Sequence, residues 1–370
     1  MPLLIDLQAP TIAQERRVWR LFPGNGYQFL PTFMNERVAF LDLPGFPMPA
    51  QPIQQANDVI ARLAFSQALR NELYEKGADH HSQLSLAEFS GARRTKTRGR
   101  IRQAIVNLLT EARSGDLVVV PSTLSDGEIN IGRFRGEDVT EAFYYRKYGE
   151  NPLQARHVDW IARVDEGSIS SDFRRTLRHQ HPFALVERQY WIEVLSLAYN
   201  TFVFRDMHVS TVFNQGDYTD AHASFLGNVT KLASAAVEAL EEGRELDPAH
   251  LLDLLLSTPP AEFTASQQAD IHSPGFNRYV SATIVALVSA ALVAAFMALP
   301  TDRAQLAVAM SEMTVINSSP DADPQCTAKV HAAQKLVIEM LDVDKTLKMC
   351  EAARKAQARG NLRSSASTNR

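Results

Sequence analysis

The sequence predicts an α+β protein: a small curled antiparallel sheet with flanking helices in the first half, then an all-α second half. Three observations predict this. Gly115-Asp116 marks a turn, and Leu117 to Val120 is an unbroken apolar run, the mark of a buried strand. A polar turn at Ser125 to Gly127 leads into Ile129 to Phe134, which alternates apolar and polar as a half-buried strand does. After Phe183 the period changes to that of helices, with apolar residues at spacings of three and four.

The strand elements come first. His157 to Val164 supplies a third strand, anchored by Trp160, and no catalytic set accompanies the sheet. Val18 to Leu21 reads as an opening strand, followed by the glycine-containing turn Pro23-Gly24-Asn25-Gly26. A short helix, LPTFMNE, precedes the strand RVAFLDL, and a basic helix runs from Arg93 to Leu109. A serine-rich turn then enters Phe173 to Leu177.

In the second half, Val186 to Asn200 and Ala221 to Glu242 carry helical apolar periodicity, and Gly243 stops the latter at the C′ position. Asp247-Pro248 opens a further helix with an N-cap acid and proline at N1. The one strand candidate in this half is Thr201 to Phe204. The expected organisation is therefore an α+β domain over 1–185, helices over 186–256, a Pro/Ser/Thr-rich linker over 257–275, a hydrophobic helix within 276–300, a helical region over 301–359 and a disordered tail over 360–370.

Val280 to Leu299 carries no charge, and its polar groups are Ser281, Thr283 and Ser289. Twenty helical residues span about 30 Å, the hydrocarbon thickness of a bilayer. Ala282, Ala286, Ala290, Ala294 and Ala298 form a small-residue ridge suited to close helix pairing. The stretch reads as a transmembrane span anchoring a cytoplasmic N-terminal domain in the inner membrane. The competing reading is a central helix buried in a fully cytoplasmic protein. Arg278 and Arg303 flank it evenly, so charge leaves the orientation open. Ala328 to Arg359 is a long amphipathic helix that needs a partner surface, in its own domain, a second copy, a partner protein or the membrane.

Composition sets bounds. With 370 residues the chain accommodates two domains, and a net charge of −4 does not mark the whole as a nucleic-acid binder. Cys326 and Cys350 cannot build a disulfide framework and fit a reducing compartment. MPLLIDLQAPT lacks the charged and apolar regions of a signal peptide.

The order of pieces over residues 17–185 resembles the N-terminal domain of Mrr-type restriction-system proteins, a module related to the PUA and EVE folds. The resemblance rests on VWRLFPGNG, on LPTFMNE with RVAFLDL, on the basic helix, on GDLVV and on HVDWIARV with its serine-rich turn. It implies a cleft beside the curled sheet that accepts a flipped or modified base. Trp19, Phe22 and Trp160 are its aromatic candidates, and Gly24, Asn25 and Gly26 offer backbone amides at its mouth. Phe134, Tyr144 and Tyr145 are further aromatics that such a cleft could use.

From charge alone, the sharpest cluster is Arg93, Arg94, Lys96, Arg98, Arg100 and Arg102, with no acid interleaved. On a helix or its approach, such residues hold phosphates. The plainer reading is a solvated surface. His80-His81 and His179-x-His181 lack partners at ligand spacing, and Asp321-Ala322-Asp323 lacks the oxygens of a calcium loop. Glu72 to Lys76 has the letters of a nuclease acid-x-Lys motif but lies in a helical stretch, and there is no G-x-S-x-G, Walker A or G-x-G-x-x-G.

The sequence thus predicts a non-catalytic sensor of a bacterial antiphage or restriction-type defence system. It would need no cofactor, bind nucleic acid (DNA foremost), and signal through its second half as a homo-oligomer or with a partner protein. The alternatives are a membrane effector gated by a small nucleotide ligand and a soluble DNA-binding subunit of a separate nuclease.

Overall fold

A computed structural model describes residues 2–122, 127–178, 181–270 and 275–369. The expected turn residues Ser125 and Asp126, and His179, lie outside the described residues. The fold is mixed α/β, and the chain divides into two compact units: Glu15–Ala198, and Met1–Gln14 together with Tyr199–Arg370.

The chain opens with β1 (Leu4–Asp6) and β2 (Thr11–Ile12), which belong to the second unit. Leu3, Ile5, Leu7 and Ala9, every second residue of this stretch, are all buried there.

Within Glu15–Ala198 the order is β3 (Val18–Leu21), α1 (Leu30–Glu36), β4 (Val38–Phe40), α2 (Val59–Lys76), α3 (Lys96–Val106), β5 (Leu117–Pro121) and β6 (Glu128–Ala142). Then follow α4 (Tyr145–Tyr148), β7 (Leu153–Asp165), α5 (Ser171–Leu177), β8 (Phe183–Leu185) and α6 (Trp191–Ala198). The strands form one sheet in the order β4-β7-β6-β5-β3-β8. The expected antiparallel sheet is mixed instead: β3 and β5 run parallel, because the long connection through α1, β4, α2 and α3 returns the chain in the same direction. Two register shifts between β6 and β7, at Ile131/Gly132 and Phe134/Val139, bend this long hairpin.

Alternation assigns the faces. Val118, Val120, Phe134 and Val158 join Phe33, Leu63, Ile105 and Leu108 in one core. Leu117, Val119 and Ile131 point the other way and are buried too, so both faces of the sheet are covered. Arg156 of β7 is 1 % exposed in this core. Its Nη1 donates to Leu108 O and Ala112 O, both at 3.0 Å, and its Nη2 to Gly136 O. A π-turn, Asn107–Glu111, ends the α3 segment, and the guanidinium accepts the task of satisfying its carbonyls.

The second unit continues with β9 (Phe202–Phe204), β10 (Met207–Asn214), α7 (Asp220–Glu242), α8 (Leu251–Leu256), β11 (Ser266–Asp270) and β12 (Gly275–Ser281). It ends with α9 (Val285–Ala298), α10 (Arg303–Ser311), β13 (Thr314–Ile316), α11 (Pro324–Gly360), β14 (Arg363–Ser364) and β15 (Ser367–Thr368). The expectation of an all-α second half does not hold: β11-β12-β10-β9-β2 make one sheet, with β14 on β10, and β13-β1-β15 make another. The segment read as a linker contains edge strand β11, paired antiparallel to β12; residues 271–274 of it lie outside the described residues. The segment read as a disordered tail is tied down by β14 and β15, with Leu362 and Ala366 buried.

The transmembrane reading is corrected as well. Val280 and Ser281 belong to β12, and the helix proper is the 14 residues of α9, about 21 Å at the helical rise. Among the described residues no helix is long and apolar enough to cross a membrane. Every residue from Val285 to Phe296 is buried, under α7 and α11 and against β10. Ser281 begins the helix by accepting from Ala286 N at 3.0 Å, and Ser289 Oγ returns to Val285 O at 2.8 Å. A helix apolar all round needs apolar surroundings all round, which a protein core supplies as well as a bilayer.

Candidate nucleic-acid interface

The basic cluster occupies the start of α3. Thr95 caps the helix by accepting from Arg98 N at 3.2 Å, so Arg93 and Arg94 lie on the approach and Lys96, Arg98, Arg100 and Arg102 on the first turns. Arg93, Arg94, Lys96 and Arg100 are exposed. Arg98 and Arg102 have structural duties. Arg98 Nε donates to Gln67 Oε1 at 3.3 Å and its Nη1 to Arg93 O at 3.0 Å; Arg102 Nη2 donates to Gln54 O at 3.4 Å.

Among the described residues none of these six cations forms an ion pair; the paired arginines nearest in sequence are Arg62, Arg70 and Arg135. No acid occupies the first turn, where the helix dipole favours one. Cations thus stand at the positive end of a helix, with like charges four residues apart at Lys96/Arg100 and Arg98/Arg102. An arriving anion relieves both repulsions. The positive field extends to β3 and β8: burial first, then the charges of Arg20 and Arg100, hold the His181 imidazole below its usual range. Among the described residues no group of three His, Cys, Asp or Glu could hold a metal.

A cavity of about 500 Å³ opens where the β6–β7 hairpin bends past α1. Trp160, Asn130 and Ser122 line it with Met34 and Leu30. Trp160 Nε1 donates to Phe33 O at 2.7 Å, which fixes the ring. Gly132 is required beneath that ring: a Cβ there would come 2.8 Å from Trp160 Cε3 and 2.3 Å from Val158 Cγ1. Asn130, opposite Arg163 in the β6–β7 register, is 5 % exposed, and Arg163 Nε donates to Glu128 Oε2 at 2.7 Å on the rim. One fixed aromatic, a buried amide and a charged rim suit a flat ligand with a polar edge.

The other sequence candidates lie elsewhere. Trp19 is 2 % exposed, stacks on Phe183 at 5.0 Å, and donates to Asp116 Oδ2 at 2.9 Å. Its partner Asp116 also accepts from Arg17 N and Arg113 N, each at 3.0 Å, so this cluster is structural. Phe22 packs on Tyr27 at 5.5 Å. Gly24 and Gly26 have φ of 79° and 61°, and the turn they allow is closed on itself by Tyr27 N to Gly24 O and Phe29 N to Pro23 O. None of Trp19, Phe22, Gly24, Asn25 and Gly26 lines the Trp160 cavity. Phe134 is core, and Tyr145 is 63 % exposed. Asn130, Ser122 and the Glu128–Arg163 pair were missed by sequence reasoning; the signal available was the alternation of β6, which places Asn130 on the core side.

The nuclease-like letters are spent on structure. Glu72 of α2 accepts from Lys76 Nζ at 2.6 Å, His80 Nε2 at 2.9 Å and Ser82 Oγ, and these hold its carboxyl down at about 2. Asp323 caps α11 by accepting from Gln325 N at 2.8 Å. No family model, curated protein or solved structure matches this chain.

Proposed function

We propose that the unit Glu15–Ala198 binds nucleic acid, with phosphates on the basic start of α3 and an unpaired base in the Trp160 cavity. The observation that carries this reading is the cluster of exposed cations without acid partners at a helix N-terminus. Such an arrangement is electrostatically unfavourable until an anion arrives. The resemblance of residues 17–185 to the PUA/EVE-like module of Mrr-type proteins supports the same reading. On it the chain is a non-catalytic reader within a bacterial defence system, acting on DNA. The cavity volume also favours a second ligand form, a free nucleotide bound through its base.

Fluorescence anisotropy with labelled duplex and single-stranded 20-mers at low salt tests the proposal. Binding of either, weakened by Arg93→Gln, Arg94→Gln, Lys96→Gln and Arg100→Gln together, is the expected result. Preference for the single strand, with quenching of Trp160, assigns the cavity to a base. Absence of binding to both strands at low salt overturns the nucleic-acid reading.

A further inference from the structure

The unit containing Tyr199–Arg370 holds its own cavity, of about 720 Å³, between α10 and α11. That volume falls in the range of roughly 300–1,000 Å³ typical of small-molecule sites. Met310, Met313, Ile338 and Val343 give it apolar walls. Gln334 lines it and is 1 % exposed. Its one hydrogen-bond partner among the described residues is the Met313 sulfur, 2.9 Å from Nε2. A thioether is a weak acceptor, whereas a primary amide brings two donors and a carbonyl with two lone pairs. Most of this buried amide's capacity is therefore unspent, and it faces a cavity.

A second donor lies beside it. His331 Nδ1 accepts from Val315 N at 3.3 Å, which leaves Nε2–H for a ligand. The rim carries Glu312, Glu339 and Lys335: Lys335 Nζ lies 3.7 Å from Glu339, whereas Glu312 has no ion pair among the described residues and leaves the rim net acidic. Asp342 closes the end of the cavity, where α11 breaks at φ 51° and ψ −178°; its carboxylate is committed to Lys345, through N at 2.9 Å and Nζ at 3.1 Å.

We propose that this cavity binds a neutral or cationic heteroaromatic compound with adjacent donor and acceptor, the edge of an unphosphorylated purine nucleoside. A glutamine amide pairs both its groups with the N6/N7 edge of adenine. Methionine sulfurs make favourable contacts with ring edges. The unpaired Glu312 carboxylate disfavours phosphate, which separates this site in charge from the basic cluster of the other unit.

Calorimetric titration of the full chain with adenosine and with adenosine 5′-monophosphate tests the proposal. Adenosine binds, and the monophosphate binds at least about tenfold more weakly because like charges meet at the rim. Gln334→Leu abolishes adenosine binding. Should that variant fail to fold, exposed Glu312→Lys decides: it brings the monophosphate close to adenosine in affinity. No heat with adenosine, retained binding in Gln334→Leu, or a monophosphate-to-adenosine ratio unmoved by Glu312→Lys overturns the proposal.

Discussion

Arg156 gives the most demanding test of how the unit Glu15–Ala198 is held together. It is a buried arginine facing carbonyl dipoles rather than a bonded carboxylate: Leu108 O, Ala112 O and Gly136 O take its protons, and its guanidinium lies 5.4 Å from the Phe134 ring. Burial pushes its pKa down, the mark of a desolvated cation, with Glu137 and Asp116 opposing from a distance. In Arg156→Met the stem is replaced at similar volume while three carbonyls lose their donor. Each orphaned group costs about 1–3 kcal/mol, and relief of the buried charge offsets part of the sum. The expected net loss is about 3–5 kcal/mol, a large share of the roughly 5–15 kcal/mol that stabilises a domain.

Urea denaturation read by tryptophan emission reports this unit alone, since the three tryptophans, Trp19, Trp160 and Trp191, all lie in Glu15–Ala198. With an m-value of about 2 kcal/mol/M, the midpoint falls by about 1.5–2.5 M. Arg156→Lys, whose ammonium cannot span the same carbonyls, falls by less. A midpoint for Arg156→Met equal to or above wild type would refute the reasoning, because it would show the carbonyls to be satisfied without the guanidinium.

Three further outcomes follow from the packing and the charges. Gly132→Ala places a methyl against Val158 and Trp160, costs about 1–3 kcal/mol and shifts Trp160 emission; adding Val158→Ala recovers part of the loss in thermal melts. Ala290→Leu overpacks α9, whose Ala290 is fully buried with its carbonyl bound by Ser364 Oγ at 2.8 Å, and lowers the melting temperature seen by circular dichroism; the same change in a membrane span would favour insertion. Glu72 has a folded-state pKa of about 2 against an ordinary 4.5, so its contribution is complete above about pH 4.5 and is lost as pH falls toward 2. Glu72→Gln therefore lowers stability at neutral pH, where that contribution is complete, and flattens the acid limb of the profile in that window.

Much of the unit Glu15–Ala198 was legible because its strands announce themselves locally. Leu117 to Val120 is continuous and apolar, and Ile129 to Phe134 is a strand as expected, although Asn130 and Gly132 are buried along with Ile129 and Ile131, so both of its faces are covered there. The second unit was misread for three physical reasons. In β12 the buried positions include Gly275, Asn277 and Ser281 while Phe276 and Val280 face outward, so the alternation is inverted. Asn277 is tolerated inside because its Oδ1 accepts from Gln267 Nε2 at 2.8 Å. Edge strand β11, Ser-Gln-Gln-Ala-Asp, is exposed and polar, as edges tend to be, and so resembles a linker. Helix α9 is enclosed on every side, and hydropathy alone cannot tell such a helix from a bilayer span. Pairing of Ile5–Asp6 with Ser367–Thr368 joins the two ends of the chain, a contact that no local pattern encodes.

The basic residues were readable as a cluster, but not their lack of acid partners among the described residues, which depends on where the acids of the unit fall. The Trp160 cavity was half readable: the ring was visible, and Asn130 and Ser122 beside it were not. Trp19 and the Gly24–Gly26 turn were plausible from sequence and are committed to packing and to their own hydrogen bonds.

The most direct test of the central claim is the salt dependence of binding. Removing the four exposed charges at Arg93, Arg94, Lys96 and Arg100 makes the slope of log K against log salt shallower by about 3.6 on duplex or about 2.8 on single strands, if each holds one phosphate. A slope unchanged by the four substitutions, with affinity retained, would contradict the account and move the nucleic-acid surface away from α3.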